Sequence, residues 1–147
     1  MLVRSLIEAD KTKIKTLEAM YDYDVDLYGY VEGYNDGDSV AFGIFYEDKL
    51  LGALSLGYAD VYHQELCDHP DYHRNAYLLS DLFVREEFRR KGVGHKLAKE
   101  SIDLIREREG NLPIFAMVIN DDLIQFFIEL GFKVVDGYDG FVMKEKL

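Results

Sequence analysis

No tryptophan occurs among the 147 residues, only one cysteine and two prolines do, and every apolar run is short. Each shortage removes a class of protein. A lone thiol, Cys67, cannot close an internal disulfide, which excludes a disulfide-stapled secreted scaffold and fits a reducing compartment. A transmembrane helix needs roughly 20 consecutive apolar residues, and no stretch supplies them, so no membrane partner is expected. Arg4, Glu8 and Asp10 break up the opening segment, which lacks the basic, apolar and small-residue order of a secretory leader. The expected location is cytoplasmic. Positive charge is scarce as well: 17 Lys and Arg face 28 Asp and Glu, a net charge of −11. Binding to a phosphate backbone needs a broad basic face, so no nucleic-acid partner is expected.

What is present is globular. Apolar residues make up 48% and aromatics 14%, enough for one domain over 1–147 with a real core. Leu2 to Ile7 reads as a first strand and Glu8 to Met20 as a helix with Ile14 and Leu17 inward. From Thr16 to Asp48 there is no Lys or Arg, while nine acids fall there, several alternating with apolar residues in Tyr21-Asp22-Tyr23-Asp24-Val25-Asp26-Leu27-Tyr28. Most of these carboxylates read as a solvated face; a few would steer a cationic substrate. Ser39 to Tyr46 and Leu50 to Tyr58 form a hairpin about Glu47-Asp48-Lys49. Asp60 to Asn75 reads as a polar surface loop. Its Cys67, His69 and His73 have no second cluster at a finger-like spacing, so no metal is expected.

The stretch Tyr77 to Lys99 organises the rest. Tyr77 to Val84 is a nearly buried strand; Gly92 and Gly94 then open a helix whose apolar stripe includes Val93, Leu97, Ile102 and Ile105. Between Arg85 and Lys99 six basic residues face two acids, a net of +4 that leaves −15 for the remainder of the chain. Glycines at a helix start expose backbone N–H groups where the helix dipole favours negative charge, so the pattern predicts an anion site, most simply for a phosphate. After Gly110-Asn111, Leu112 to Ile119 is a strand. Asn120 caps a helix that ends at Gly131, and Phe132 to Val135 with Phe141 to Lys146 closes as a hairpin. The order β-α-(α)-β-β-β-α-β-α-β-β is an α/β pattern, a mixed sheet with helices on its faces.

These residues resemble the GNAT family of N-acetyltransferases. Arg89-Arg90-Lys91-Gly92-Val93-Gly94 is similar to the family's Gln/Arg-x-x-Gly-x-Gly/Ala loop, preceded by Leu82-Phe83-Val84. Asn120 followed by Phe126-Phe127-Ile128-Glu129-Leu130-Gly131-Phe132 is similar to its second signature. The likeness is firm from Tyr77 to Phe132 and loose before Asn75. It implies a mostly antiparallel sheet and acetyl-CoA as the cofactor. The pyrophosphate would rest on the N–H groups of Arg90, Lys91, Gly92, Val93, Gly94 and His95, with Arg89 or Lys91 adding charge. The pantetheine would lie along Leu82, Phe83 and Val84, and Asn120 would contact the cofactor or simply cap its helix. The acceptor would be a primary amine, on a small cationic molecule or on a lysine or N-terminus of a peptide. A homodimer is common in the family.

Two positions depart from the pattern. Phe127 stands where many members place a proton-donating Tyr, and Ser80 where a Glu often precedes the Asp. The candidate catalytic residues are therefore Ser80 and Asp81. Strict alternation puts Leu78, Ser80, Leu82 and Val84 on one face and Asp81 on the other, which makes Asp81 structural and Ser80 the holder of a water. Tyr28, Tyr30, Tyr34 and Tyr138 are the candidate acids. The departures keep open a non-catalytic acyl-CoA-binding or regulatory module as the alternative. Nucleotide binding is disfavoured, because Gly-x-Gly lacks both the third glycine of a dinucleotide turn and the Lys-Ser/Thr of a P-loop.

Overall fold

The computed structural model describes residues 1–32, 39–59, 64–72 and 76–147. Tyr34 and His73, named above, lie outside them. In chain order the elements are β1 (Leu2–Ser5), α1 (Lys11–Glu18), α2 (Leu27–Glu32), β2 (Ser39–Tyr46), β3 (Lys49–Tyr58), β4 (Tyr77–Val84), α3 (Val93–Glu109), β5 (Ile114–Met117), α4 (Asp121–Glu129), β6 (Lys133–Val134) and β7 (Phe141–Lys144). The strands form one sheet in the order β1-β2-β3-β4-β5-β7-β6. Only β4 and β5 run parallel.

Local chemistry explains most of the element boundaries. Glu47 and Asp48 have φ of 47° and 72°, the paired positive values that a tight, twisted two-residue hairpin demands. The helix expected from Glu8 begins later, at Lys11. The Asp10 carboxylate turns back to accept the Ile7 N–H at 2.9 Å and grips Arg4 at 2.7 and 2.9 Å, so residues 8–10 make a tight 3-10 turn instead. The Asp26 carboxylate accepts the Gly29 N–H at 2.9 Å, starting α2 within the acidic window. The closing hairpin forms, but β7 rather than β6 lies beside β5.

Three apolar clusters hold the sheet. On one face Leu97, Ala98, Ile102 and Ile105 of α3 pack on Phe42, Ile44, Leu54 and Leu56; each buried Leu or Ile contributes roughly 1.5–3 kcal/mol. On the other, α1 and α2 bury Ile14, Leu17, Leu27 and Tyr28 against Phe45, Leu50 and Ala53. Further along that face Leu66 and Tyr72 cover Phe115, Phe141 and Met143. His69 in this loop packs edge-on against Phe115 and Tyr138, with ring centroids 5.1 and 5.2 Å away, and its Nδ1 accepts the Asp71 N–H.

One close approach fixes where β4 sits. A Cβ added at Gly52 would lie 2.6 Å from the Phe83 carbonyl oxygen and 3.2 Å from the Val84 Cα, both main-chain atoms that cannot yield without moving the strand. Gly52→Ala is therefore expected to destabilise the fold by about 1–3 kcal/mol, the usual cost of overpacking. Urea unfolding checks it; an unchanged midpoint would mean that β3 and β4 have room to separate.

Candidate functional site

Strands β4 and β5 pair over only three positions, Tyr77 with Ile114, Leu78 with Phe115 and Leu79 with Ala116. Beyond Leu79, β4 stays on β3 as far as Val84, whereas Val118, just past β5, donates its N–H to the Gly140 carbonyl at 2.7 Å beside β7. The two strands diverge, and the β4 edge from Ser80 to Val84 has no strand partner there among the described residues. The Arg85 N–H reaches Leu51 on β3 at 2.8 Å. Because main-chain groups alternate along a strand, the Val84 N–H points the opposite way, into the opening.

A bulge interrupts β4 at this point. Ala53 pairs with Phe83 and Ser55 with Ser80, so Leu54 alone stands opposite both Asp81 and Leu82. The extra residue is accommodated at Asp81, whose φ is +55°. Strict alternation fails here and the expectation built on it is corrected. Leu82 and Val84 pack toward α3, while Phe83 packs toward α1 and α2. Ser80 and Asp81 both turn to Ser55, whose Oγ lies 2.7 Å from the Ser80 Oγ and donates to an Asp81 carboxylate oxygen at 3.4 Å. The two residues expected on opposite faces share one hydroxyl.

Two tyrosines that were not among the candidate acids complete this corner. The Tyr21 hydroxyl donates to the Asp81 main-chain carbonyl at 2.8 Å, and the Tyr23 hydroxyl to the Asp81 carboxylate at 3.3 Å. Tyr21 is stacked on Phe83, with centroids 4.5 Å apart and planes 25° from parallel. Tyr28 is buried in the core, and the Tyr138 hydroxyl donates to Asp68 at 2.9 Å in the far loop. Burial raises the Asp81 carboxyl above the ordinary carboxylate range, against the opposing pull of the Tyr23 and Ser55 hydrogen bonds. Burial, reinforced by the Asp81 charge, pushes Tyr23 up to about 12 and Tyr21 higher still. Beside them Glu18, Tyr21, Asp22, Tyr23 and Asp24 line an open cavity of about 540 Å3.

Across the opening lies the start of α3. Gly92 is its cap residue at φ +79°, and the Lys96 N–H to Gly92 carbonyl bond of 3.0 Å closes the first turn. The N–H groups of Val93, Gly94 and His95 precede that bond and have no intrahelical acceptor. A Cβ at Gly92 would meet nothing within 4 Å, so the cradle faces open space. Gly94 instead lies under the Phe126 ring, 3.3 Å from where a Cβ would stand. Val93 anchors the turn in the core, and the His95 imidazole bonds the Glu129 carboxylate at 2.7 Å. Arg90, at φ +61°, and Lys91 are exposed. Arg89 is partly committed: its Nε donates to the Val84 carbonyl at 2.8 Å and its guanidinium lies 5.1 Å from the Phe83 centroid.

The second signature separates into a cap and a core. The Asn120 Oδ1 accepts the Leu123 N–H at 3.1 Å, so its capping role is visible. Phe127 is buried against Phe126 and Phe132. A free strand edge, an open N–H cradle and exposed cations along one cleft fit the pantetheine and pyrophosphate of coenzyme A.

The model of the Acetyltransferase (GNAT) family matches residues 3–132. The chain belongs to that family. Acetyl-CoA-dependent acetyl transfer is the family's reaction, and the chain is accordingly an acetyltransferase. Among solved structures, the ribosomal-protein-alanine N-acetyltransferase of Brucella melitensis aligns over 99% of both chains at 20% identity with a TM-score of 0.71. The GNAT N-acetyltransferase YhbS of Escherichia coli, solved with CoA, aligns over 98% of this chain and 80% of its own at 16% identity and a TM-score of 0.70. PaiA N-acetyltransferase of Thermoplasma acidophilum, solved with coenzyme A, aligns over 98% of each chain at 18% identity and a TM-score of 0.64. These likenesses bear out the fold expected from the sequence. No curated protein matches the chain.

Proposed function

We propose that this GNAT domain transfers the acetyl group of acetyl-CoA directly to a primary amine of a cationic acceptor. Asp81 takes one proton from the ammonium, the neutral amine then forms the new C–N bond, and the proton it sheds in doing so goes to the thiolate released when the C–S bond breaks. The observation that carries this reading is the position of Asp81. Its carboxyl stands at the bulge where β4 leaves β5, raised in pKa by burial, next to a cavity lined by Glu18, Asp22 and Asp24.

An alkylammonium with a pKa of about 10.4 lies roughly three units from neutrality at pH 7, a cost of about 4–5 kcal/mol. A carboxyl raised toward neutrality narrows that gap better than an ordinary one. When bound, acetyl-CoA supplies a thioester carbonyl open to attack. The N–H groups of Val93, Gly94 and His95 would hold its pyrophosphate, with charge from Arg90 and Lys91, and the main chain of Leu82 and Val84 would take the pantetheine. The Val84 N–H is the donor available to polarise a carbonyl in the opening. Tyr23, raised to about 12, keeps its proton at neutral pH and serves as a donor, never as a base.

The acidic cavity favours acceptors with more than one positive charge through steering. A thiol-release assay over polyamines, aminoglycosides, amino acids and peptides tests this. Turnover is expected to be highest with the polycationic amines and to fall with added salt. Turnover confined to neutral or acidic acceptors would overturn the choice of substrate class.

A further inference from the structure

We propose that Tyr23 is a positioning residue for the Asp81 carboxyl, holding it against the bulge from a segment 58 residues away in the chain. The inference rests on the reading of Asp81 as the proton acceptor, and its test is built so that the two can fail separately.

A carboxyl at a bulge has no ladder to fix it. The side chain projects from a residue at φ +55°, outside the regular pairing of β3 and β4. Contacts from other elements therefore decide where its oxygens point. One oxygen faces the Ser55 Oγ at 3.4 Å and the other the Tyr23 hydroxyl at 3.3 Å, so a donor from β3 and a donor from the α1–α2 connection hold it from two sides. Neither bond is short, and the carboxyl keeps lone pairs for an ammonium.

Tyr23 is itself held in place. Its ring meets Tyr21 edge-on at 5.6 Å, and Tyr21 is fixed both by its stack on Phe83 and by its hydroxyl on the Asp81 carbonyl. The segment that lines the acidic cavity thus grips the carboxyl and the main chain of one residue. Tyr23 is 55% exposed, so its hydroxyl can be removed without emptying the core. The ionisable groups facing Asp81 among the described residues are Tyr21 and Tyr23; Glu18, paired with Lys15 at 3.3 Å, and Asp22 and Asp24 line the cavity beside them. Hydrogen bonding from neutral donors is then what offsets the burial of the charge.

The test is a carboxyl-carbon NMR titration of the protein labelled with 13C at aspartate, with the Asp81 signal identified by its loss in Asp81→Asn. Tyr23→Phe is expected to move the Asp81 midpoint upward by a few tenths of a pH unit, the size of one weak hydrogen bond, and Ser55→Ala to move it the same way. An Asp81 midpoint that stays put in Tyr23→Phe overturns the proposal, whatever Ser55→Ala does. Failure of the underlying reading looks different: Asp81→Asn would then release thiol at the wild-type rate, while the titration of Tyr23→Phe would be unaffected by that result.

Discussion

Gly92→Glu is expected to weaken coenzyme A binding by about a hundredfold or more while leaving the protein folded. The glycine caps α3 at φ +79°, and a Cβ there would meet no neighbour within 4 Å, so the folded protein has room for a larger side chain. The cost to the fold is confined to backbone strain of about 1–2 kcal/mol for an L-residue in the left-handed region. The cost to binding is larger. A carboxylate at this position stands before the N–H groups of Val93, Gly94 and His95, competes for them, and repels a pyrophosphate. Gly92→Ala separates the two effects, since it carries the strain without the charge. Calorimetry with coenzyme A should show a modest loss for alanine and a near-complete loss for glutamate. Equal affinities for wild type and Gly92→Glu would place the pyrophosphate elsewhere.

Asp81→Asn is expected to lower kcat by about 10²–10⁴, the usual contribution of a positioned base, without weakening coenzyme A binding. The exchange is mild for the backbone, because Asn is among the few residues that accept a positive φ. Its carbonyl can still accept from Tyr23. Stability should move the opposite way to activity. The Asp81 pKa is raised in the folded protein, so the favourable contribution of its protonated form is complete below the unfolded value of about 3.9 and is lost as pH rises through the folded value. Asparagine has no charge to bury. The melting temperature of Asp81→Asn relative to wild type should therefore be higher near pH 7 than near pH 4. A difference from wild type that is the same at both pH values would mean that the Asp81 charge is buried at no cost, and full activity would remove it from the chemistry.

The glycine turn, the start of α3 and the cap of α4 were legible because their signals are local. Gly92 and Gly94, the basic island and the Asn120 cap act within a few residues of themselves, and each occupies its expected place. Within that stretch the Arg89 Nε also donates to the Val84 carbonyl, a contact that the sequence pattern does not report. The corner around Asp81 was not legible. Alternation describes an unbroken ladder, and only the pairing of β4 with β3 reveals the extra residue at Asp81. Tyr21 and Tyr23 reach Asp81 across about sixty residues, a distance that no periodicity reports. In the sequence most of the acidic window reads as a solvated face, yet its tyrosines are what meet the carboxyl. The closing hairpin shows the same limit: its two strands follow from turn chemistry, whereas the choice of β7 as the neighbour of β5 is a property of the whole sheet.

The positive φ at Asp81 also restricts what evolution can write there. Glycine, asparagine and aspartate occupy that backbone shape cheaply, and of the three only aspartate ionises. A β-branched residue would strain the chain or erase the bulge and return the strand beyond it to the opposite phase, and a glutamate, though Glu47 carries a similar φ of 47° in the β2–β3 turn, would reach farther from the bulge. At this position the backbone favours the shorter of the two acids.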